Sequence, residues 1–401
     1  VALAALAATT AFAQSSVTIT GNLDVGYQSL DFKGNKVTNS SGSNGSSTTA
    51  VFFRGTEDLG RGLKANFQWE VDPSLADTSS RTAGTAATGT TSNVTSSIGN
   101  GQSFVELAGG FGAIKLGTPN LTTLSANGDG NSGFATAIGS GYRVTSFDAV
   151  RFQNSLRYDT PSFSGLSLGY VQSAKNDKQS LGGTTGQTGN LMNQTNGRDQ
   201  ATEVSLTYAN GPLTVRYADL QMKQWADVAL IDATKGGFAN QAAWSATDGK
   251  KFSLKTLSAR YAVNKDLTVG YFNQQTDSDA LVASSSGGVA STARFDRTAQ
   301  GLSAAYYAMP NVKLMVNRAT AKNGANHLAA SSAAGGSNAS ANLKTTVTGL
   351  GVDYELSKRT TAYFRTETNK DAAGMRSITG YTAATGNTTY KATAIGIRHT
   401  F

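Results

Sequence analysis

The sequence of 401 residues has no cysteine, 2 histidines and only 5 prolines. Without cysteine, a disulfide scaffold, a thiol enzyme and the common zinc modules are excluded. Long apolar runs are also missing, because nothing after the first residues approaches the ~18 consecutive apolar residues of a membrane-spanning helix. The hydrophobic fraction of 39% is too low for a helical membrane protein. It suits a β-barrel, in which only alternate residues face lipid.

Histidine is too scarce and too scattered to indicate catalysis. His327 lies in a stretch rich in Ala, Ser and Gly, and His399 is the third residue from the end. Neither belongs to a motif that would supply a general base or a metal ligand. We therefore predict no enzyme activity, no metal site and no cofactor, while hydrolysis by carboxylates alone stays open.

Acidic residues are the minority, since 26 Asp and Glu stand against 34 Lys and Arg for a net charge of +8. A basic protein of this size first suggests a nucleic-acid partner. Here the basic residues are scattered at strand-like intervals, with no run rich in Lys and Arg. The sequence therefore predicts no nucleic-acid binding.

The chain begins with an apolar, uncharged stretch at residues 1–13, VALAALAATTAFA. Its last three residues, Ala-Phe-Ala, fit the small-residue cleavage site of a secretory signal peptide. We expect residues 1–13 to be a signal-peptide remnant and residues 14–401 to be the exported barrel. The alternative is a short buried helix, and the stretch is too short to cross a bilayer.

Turn signals recur about every fifty residues, and each is flanked by segments that alternate apolar and polar residues. Seven such turns are present, at residues 58–62, 109–112, 161–165, 210–212, 264–266, 309–311 and 356–359. Seven hairpins give fourteen strands, and two further alternating segments, 17–28 and 390–401, begin and close the series. The sequence therefore predicts sixteen strands, an even number that is typical of single-chain bacterial barrels.

Between the hairpins lie long stretches rich in Ser, Thr, Gly, Asn and Ala, which we expect to be structureless loops. Examples are residues 33–49, 72–101, 175–200 and 281–291. Such loops argue against a compact soluble domain, whereas an outer-membrane barrel combines long external loops with short periplasmic turns. A soluble β-sandwich or β-helix explains the strands but not this strict alternation. We predict an all-β fold, a 16-stranded antiparallel transmembrane β-barrel.

The first strand has one apolar and one polar face, with Val17 and Ile19 on one side and Thr18 and Asp24 on the other. Side chains cannot fill the lumen of a sixteen-stranded barrel, so the lumen is wet and the apolar face meets lipid. By this parity, basic residues outnumber acidic ones in the lumen, which favours anions. The basic set is Arg54, Lys64, Lys115, Arg157, Arg216, Arg260, Arg365 and Arg398, and the acidic set is Asp24, Glu70, Glu106, Glu203, Asp353 and Glu367.

Five segments carry a resemblance to a known family: SSVTITGNLDVGY, FFRGTEDLGRGLKANFQWE, FVELAGGFGAIKLGT, NSLRYDTPSFSGLSLGYVQS and the terminal GIRHTF. In them the chain resembles the general porins of β-proteobacteria, namely the anion-selective porins of the Comamonas and Burkholderia type and, more distantly, the neisserial porins. The resemblance implies an outer-membrane channel and a homotrimer. It also implies a third loop folded into the lumen as a constriction, here residues 118–153.

The resemblance further implies an arginine cluster that faces the third loop. Arg54 lies in the matching FRGTED motif and Arg157 in the matching NSLRYD motif, so both are expected at the constriction. Relatives often carry arginine at the positions of Gln102 and Pro119, where this chain is uncharged. The basic cluster is therefore thinner here than in the family.

Several other residues complete the predicted site. Arg143 and Arg151 in the third loop are candidates to replace the missing arginines, and Lys115 is a basic candidate on the wall. The predicted acidic pore-lining residues are Glu70, Glu106, Asp129 and Asp148. Phe401 ends an apolar strand, which resembles the signal read by the outer-membrane assembly machinery.

These features predict a general diffusion porin that passes small hydrophilic solutes, preferentially anions. Expected partners are those solutes, outer-membrane lipid and lipopolysaccharide, the assembly machinery and further copies in a homotrimer. A sugar-specific channel would place aromatic rings inward, whereas most rings here have the lipid parity, with Tyr307 and Tyr363 as exceptions. An energy-coupled receptor needs a plug and a larger barrel. An adhesive barrel stays open, because long loops can bind partners.

Overall fold

A computed structural model describes residues 16–32, 35–41, 45–73, 101–145, 151–152, 154–173, 200–223, 244–245, 251–279, 281–283, 291–293, 296–325, 343–371 and 389–401. The predicted signal-peptide remnant lies outside them. The strands in chain order are β1 (Ser16–Phe32), β2 (Asn35–Ser41), β3 (Ala50–Gly60), β4 (Leu63–Val71), β5 (Ser103–Gly109), β6 (Gly112–Thr118), β7 (Ser155–Asp159), β8 (Leu166–Ser173), β9 (Gln200–Asn210), β10 (Leu213–Lys223), β11 (Trp244–Ser245), β12 (Lys251–Ala262), β13 (Leu267–Ser278), β14 (Leu281–Ala283), β15 (Ser291–Ala293), β16 (Asp296–Met309), β17 (Val312–Asn323), β18 (Lys344–Glu355), β19 (Thr360–Asp371) and β20 (Tyr390–Thr400).

Seventeen strands, all except β11, β14 and β15, form one antiparallel sheet that closes on itself. Because β2 and β3 pair with successive parts of β1, they share one position, and the wall has sixteen strand positions. Closure runs through β1, whose residues 22–31 pair with β20 and whose residues 16–22 pair with β3. The last residue extends this seam, because Gly21 and Phe401 each donate the backbone N–H to the other's carbonyl oxygen at 3.1 Å. A closed antiparallel sheet leaves no free edge in the wall. The prediction of a sixteen-stranded barrel is confirmed.

All seven predicted short turns join neighbouring wall strands at one end of the barrel. In the first turn three consecutive residues have positive φ: Gly60 at 83°, Arg61 at 54° and Gly62 at 78°. Two of the three are glycine, which adopts this region without a Cβ clash. The turn residues therefore select the hairpins locally, before any contact across the barrel.

The loop end of the barrel has more regular structure than the sequence predicts. Part of the 33–49 stretch forms β2, which pairs with the outer half of β1. The 281–291 stretch contributes β14 and β15, which form a small sheet with β11. The prediction of structureless loops is wrong for these segments, because an extended segment satisfies its backbone groups by pairing. Most of residues 72–101 and 175–200 lies outside the described part.

The two faces of the wall differ as predicted. On the outside, large apolar side chains are exposed, for example Val17, Leu302 and Ile395. On the inside, alternate residues are polar or are covered by the third loop, and wall charges such as Arg54, Arg157 and Arg260 have this inward parity. Inside and outside are thus reversed relative to a soluble barrel, as a lipid-facing wall requires.

Between β6 and β7 the chain enters the barrel, as predicted for the third loop. Its described part contains a helix, α1 (Thr122–Gly130), and a 3-10 turn at Gly141–Val144. The helix packs against the inner faces of β10, β12 and β13, and the 3-10 turn packs against β16, β17 and β18. The loop thus lines one half of the wall and leaves the other half facing open lumen. No helix among the described residues is long and apolar enough to cross a membrane.

Candidate functional site

The start of the third loop is fixed to the wall by one carboxylate. Helix α1 has Leu121 at its N-cap and no side chain of its own that caps it. Glu203 on β9 caps it instead, because its carboxylate accepts the backbone N–H of Thr122 at 2.6 Å and of Thr123 at 3.0 Å. The negative charge also opposes the positive end of the helix dipole. Glu203 therefore acts as an anchor for the loop.

The middle of the loop is fixed by a buried ring. Phe134 packs against Ala305 and Met315 on the wall. Its ring centre lies 5.8 Å from the guanidinium carbon of Arg365. The turn before it needs Gly133, which has a φ of 82° and whose position would bring a Cβ to 2.6 Å from the Met315 sulfur. The small size and the backbone freedom of Gly133 together allow the loop to approach the wall closely.

The end of the loop is held by backbone contacts to charged wall residues. The Gly139 N–H donates to Glu367 Oε2 at 2.7 Å. The Arg297 guanidinium donates to the Val144 carbonyl oxygen at 3.0 and 3.2 Å. Gly349 permits the close approach, since a Cβ there would lie 2.0 Å from the Gly139 carbonyl oxygen. The third loop is therefore tied down at its start, middle and end.

The end of the first loop also turns into the lumen. Asp24 on β1 accepts the backbone N–H of Ser46 at 2.9 Å and of Ser47 at 2.6 Å, both through Oδ2. The Tyr363 hydroxyl donates to Oδ1 at 2.7 Å. Arg398 donates to Ser46 Oγ at 2.9 Å. Asp24 is buried by these contacts, so this predicted lumen acid also acts as an anchor.

A cavity of about 310 Å³ lies between the two loops. Residues 135–137 of the third loop form one side, and residues 46–48 of the first loop form the other. The wall between them contributes Asn22, Phe52 and Glu70. The sequence predicted the third loop here but gave no signal for the first.

Arg54 lies on β3 beside this cavity. Its guanidinium carbon is 4.3 Å from the centre of the Phe52 ring. It donates to Gln68 Oε1 at 2.9 Å and to Thr20 Oγ1 at 2.8 Å. These partners are neutral, and within the described part of the chain Arg54 has no carboxylate in ion-pair range. An exposed guanidinium without a counter-ion can attract a permeating anion.

Arg157 and Lys115 lie opposite each other on β7 and β6. Arg157 binds Asp159 at 2.8 Å and donates to the Asn120 carbonyl oxygen at 2.7 Å. Lys115 lies 3.4 Å from both Asp159 and Glu106. Two cations are therefore matched by two carboxylates. Through its bond to the Asn120 carbonyl oxygen, Arg157 holds the backbone where the chain enters the third loop.

The other predicted loop charges are only partly described. Arg151 donates to Asn120 Oδ1 at 3.0 Å and lies 4.0 Å from the Asp72 carboxylate. The backbone of Arg143 is in the 3-10 turn, but its side chain lies outside the described residues. Asp148 is outside them entirely.

Asp129 in α1 serves two wall arginines. Its carboxylate is 2.6 Å from Arg216 Nε and 3.5 Å from Arg260 Nε. The Arg260 side chain is 51% exposed, whereas the Asp129 side chain is 18% exposed. Two cations against one carboxylate leave one positive charge, and the exposed side of the group is basic.

Asp353 on β18 serves three cations. Its carboxylate lies 2.6 Å from Arg365, 3.0 Å from Lys313 and 3.9 Å from Arg398. These are ion pairs by distance and not aligned hydrogen bonds. The Asp353 and Arg365 side chains are buried, so the lumen meets Lys313 and Arg398 first. Parity predicted Asp353, Arg365 and Arg398 to be inward but did not name Lys313. Only the structure shows that the three cations share one carboxylate.

Gln102 acts as a neutral bridge between Glu70 and Asn120. Its backbone N–H donates to Glu70 Oε2 at 2.9 Å, and its side-chain oxygen accepts the Asn120 N–H at 3.1 Å. Glu70 is thus held by an amide and not by a guanidinium. The charge of this carboxylate therefore stays available beside the cavity.

Asp72 follows β4 and faces Glu70 and Arg151. Burial and the nearby Glu70 carboxylate raise the pKa of Asp72 to about 6, and the positive charge of Arg151 offsets part of the increase. This carboxyl therefore changes charge close to neutral pH. The sequence pattern placed Asp72 only at the start of a loop and predicted neither its contact with Arg151 nor its burial.

A family model described as Gram-negative porin matches residues 1–374. The major outer membrane protein P.IB of Neisseria meningitidis is 34% identical over 177 residues, which is 43% of this chain and 48% of that protein. Outer membrane porin protein 32 of Delftia acidovorans is 32% identical over 234 residues, or 56% of this chain and 59% of that protein. The chain thus spans about half the length of these relatives.

Solved structures share the fold. The anion-selective porin from Comamonas acidovorans matches with a TM-score of 0.66 at 21% identity and covers 97% of this chain and 100% of that chain. The trimer form of OmpT from Vibrio cholerae matches with a TM-score of 0.62 at 13% identity, over 96% and 99%. At these identities the likeness shows the fold alone. The family match, however, covers most of the chain, and porins are channels rather than enzymes. A closed sixteen-stranded wall, a third loop inside it and this match together show that the chain belongs to the Gram-negative porin family of the outer membrane.

Proposed function

We propose that the protein is a general diffusion porin that passes small hydrophilic solutes and ions passively and prefers anions. The observation that supports the preference is the sharing of lumen carboxylates. Asp129 and Asp353 together face five cations. The surplus is positive at both groups. The porin from Comamonas acidovorans that shares this fold is anion-selective, which agrees with this sign.

The more exposed side of each shared group is the cation. Lys313 is 17% exposed and Arg398 24%, whereas Asp353 is 1% exposed. A permeating ion therefore meets positive charge first. At physiological ionic strength charges are screened beyond ~8 Å, so the groups nearest the solute path dominate. Such a wall attracts anions and repels cations.

We assign the largest single contribution to Arg54, because its described partners are neutral and it lies beside the cavity. Arg157 and Lys115 belong to a balanced group, so their part in selectivity is smaller. Arg151 and Arg143 stay proposed members of the constriction. Glu70 and Asp72 oppose them, and the preference for anions is accordingly moderate.

We further propose that the protein forms a homotrimer through the sector of β1, β3 and β4. On this sector the outward residues are apolar up to the loop end. Val25 and Tyr27 on β1 are exposed, and the rings of Phe53 and Trp69 lie 5.4 Å apart on the same face. Lipid or a second copy would cover such a surface equally well, and the trimeric form of OmpT supports the second copy.

We propose two further partners for the barrel in the outer membrane. Phe401 is proposed to be read by the assembly machinery, because it is an aromatic residue that pairs with Gly21 at the seam of the barrel. Outer-membrane lipid and lipopolysaccharide are proposed to surround the apolar band. Neither partner is needed for permeation itself.

Planar-bilayer recording under a KCl gradient tests the channel and its selectivity together. We expect stepwise conductance with a reversal potential of anion-selective sign. Arg54→Gln should move that potential towards zero with little change in conductance. Arg318→Gln removes the same charge from the outer face, where the side chain is exposed, and serves as the matched control.

Each outcome addresses one part of the proposal. A protein that folds but does not conduct would contradict the diffusion channel. A cation-selective sign would contradict the weight given to the shared carboxylates. An unchanged potential in Arg54→Gln would remove that residue from the selectivity site and leave the porin function intact.

A further inference from the structure

Three lysines form a row on the outside of the barrel near its loop end. Lys322 on β17 is directly opposite Lys344 on β18. Thr346 follows Lys344 by two residues on the same face of β18, and Lys370 on β19 is directly opposite Thr346. All three side chains are exposed. We name this group the lysine ladder. Like charges directly opposite each other destabilise a sheet, and an anion bound between the lysines would offset this repulsion.

The lysine ladder is on the face that meets the membrane. Leu350 and Val352 on β18 have the same parity as Lys344 and are exposed. Phe364 on β19 has the parity of Lys370 and is also exposed. The lysines therefore do not line the channel and take no part in its charge balance.

The height of the ladder matches the outer edge of the membrane. Tyr354, at the turn end of β18, is separated from Lys344 by ten residues of one strand. At ~3.3 Å per residue and a tilt of ~40°, they are separated by about 25 Å along the barrel axis, which is the height of a typical apolar band. Threonines fill the positions between, at 346 and 348. The ammonium groups therefore lie at headgroup depth.

The row lacks matching carboxylates. None of its three lysines has an ion pair with a residue in the described part of the chain. Asp296 on β16 is the nearest acid by register, and its carboxylate lies against the position of Gly324. Lys255 on β12 shows the contrast, since Asp219 on β10 is directly opposite it.

We propose that the lysine ladder binds the phosphate groups of a phosphorylated glycolipid in the outer leaflet, lipopolysaccharide. Charge complementarity and depth carry this assignment: ammonium groups are point-charge donors to phosphate. A lipid with two phosphate groups can bridge Lys322 and Lys344 and relieve their repulsion. The proposal deepens the proposed association with outer-membrane lipid and is independent of the anion preference.

The test uses the purified full-length protein in detergent and lipid A with two phosphates as the probe. Binding is measured by native mass spectrometry and by the shift in thermal unfolding. We expect the triple variant Lys322→Gln/Lys344→Gln/Lys370→Gln to bind about 10-fold more weakly or worse. Lys255→Gln should bind like the unchanged protein. Dephosphorylated lipid A should bind the unchanged protein as weakly as the triple variant binds the probe.

Three results would overturn the proposal. These are equal binding by the triple variant, an equal loss in Lys255→Gln, or an equal thermal shift from inorganic phosphate at the same concentration. Circular dichroism of the triple variant checks that the sheet is intact. Its reversal potential should equal that of the unchanged protein, so failure of lipid binding and failure of the channel proposal are told apart.

Discussion

The carboxylate of Glu203 on β9 accepts the backbone N–H of Thr122, the first residue of α1, at 2.6 Å. Thr123 donates to the same carboxylate through its N–H and its hydroxyl. A wall strand thereby caps a helix that follows the chain's entry into the lumen and has no capping side chain of its own. This contact holds the start of the third loop against the wall.

Replacing Glu203 by alanine should loosen the third loop. Buried N–H groups would lose their acceptor, at a cost of about 1–3 kcal/mol each. We expect larger open-channel noise and a higher mean conductance in single-channel recording. Glu203→Gln keeps an acceptor oxygen, so its noise and mean conductance should lie between those of Glu203→Ala and those of the unchanged protein. Noise and conductance identical to the unchanged protein would show that the loop is held without this cap.

Asp24→Ala should widen the channel from the side of the first loop. Without the carboxylate, Ser46 and Ser47 lose the acceptor that turns them into the lumen. Uncharged polymers of larger size should then enter the pore and reduce its conductance. Tyr363→Phe removes only one of the donors and should have a smaller effect. An unchanged polymer cutoff in Asp24→Ala would place the limit elsewhere in the lumen.

Anion preference should increase as the pH falls from 7.5 to 5. The pKa of Asp72 is raised to about 6, so its carboxyl is charged at the upper pH and neutral at the lower. Protonation removes the negative charge that lies 4.0 Å from the Arg151 guanidinium. The reversal potential under a salt gradient reports the change. Asp72→Asn should give the low-pH value at both pH values, and a variant that retains the full pH response would assign it to another group.

Gly21→Leu should impair closure of the barrel. The Phe401 ring lies over Gly21, where a Cβ would come within 2.4 Å of it. Gly21→Leu keeps the Phe401 ring but blocks its packing over position 21. Phe401→Leu allows a side chain to pack there but removes the aromatic ring. We expect both to lower the unfolding temperature. In cells, assembly yield should fall more in Phe401→Leu if the machinery reads the ring, and equal yields would attribute the residue's role to packing.

Sequence periodicity predicted most of the wall. Alternation in segments such as 17–28 depends only on the two-residue repeat of a strand, and turn chemistry as at Gly60 is local. Both are written in neighbouring residues, so strand number, hairpin order and the inward parity of Arg54 and Asp353 could be predicted without a structure.

The constriction could not be predicted in the same way. Helix α1 has no cap in its own sequence, and its acceptor, Glu203, is supplied 81 residues away. Residues 46–48 are a polar Ser/Thr segment like many others in the loops, and their place beside the cavity depends on Asp24 and Tyr363. No local pattern records such long-range pairs.

The sequence by itself determined the barrel and its lipid-facing surface, because strand alternation and turns act over a few residues. Only the tertiary structure decided which carboxylate serves which cation, how two loops meet at the cavity, and that Lys322 stands opposite Lys344. Those relations arise when strands that are far apart in the chain close into one ring. They depend on strand register and on distances across the barrel, and neither has a signal in the local sequence.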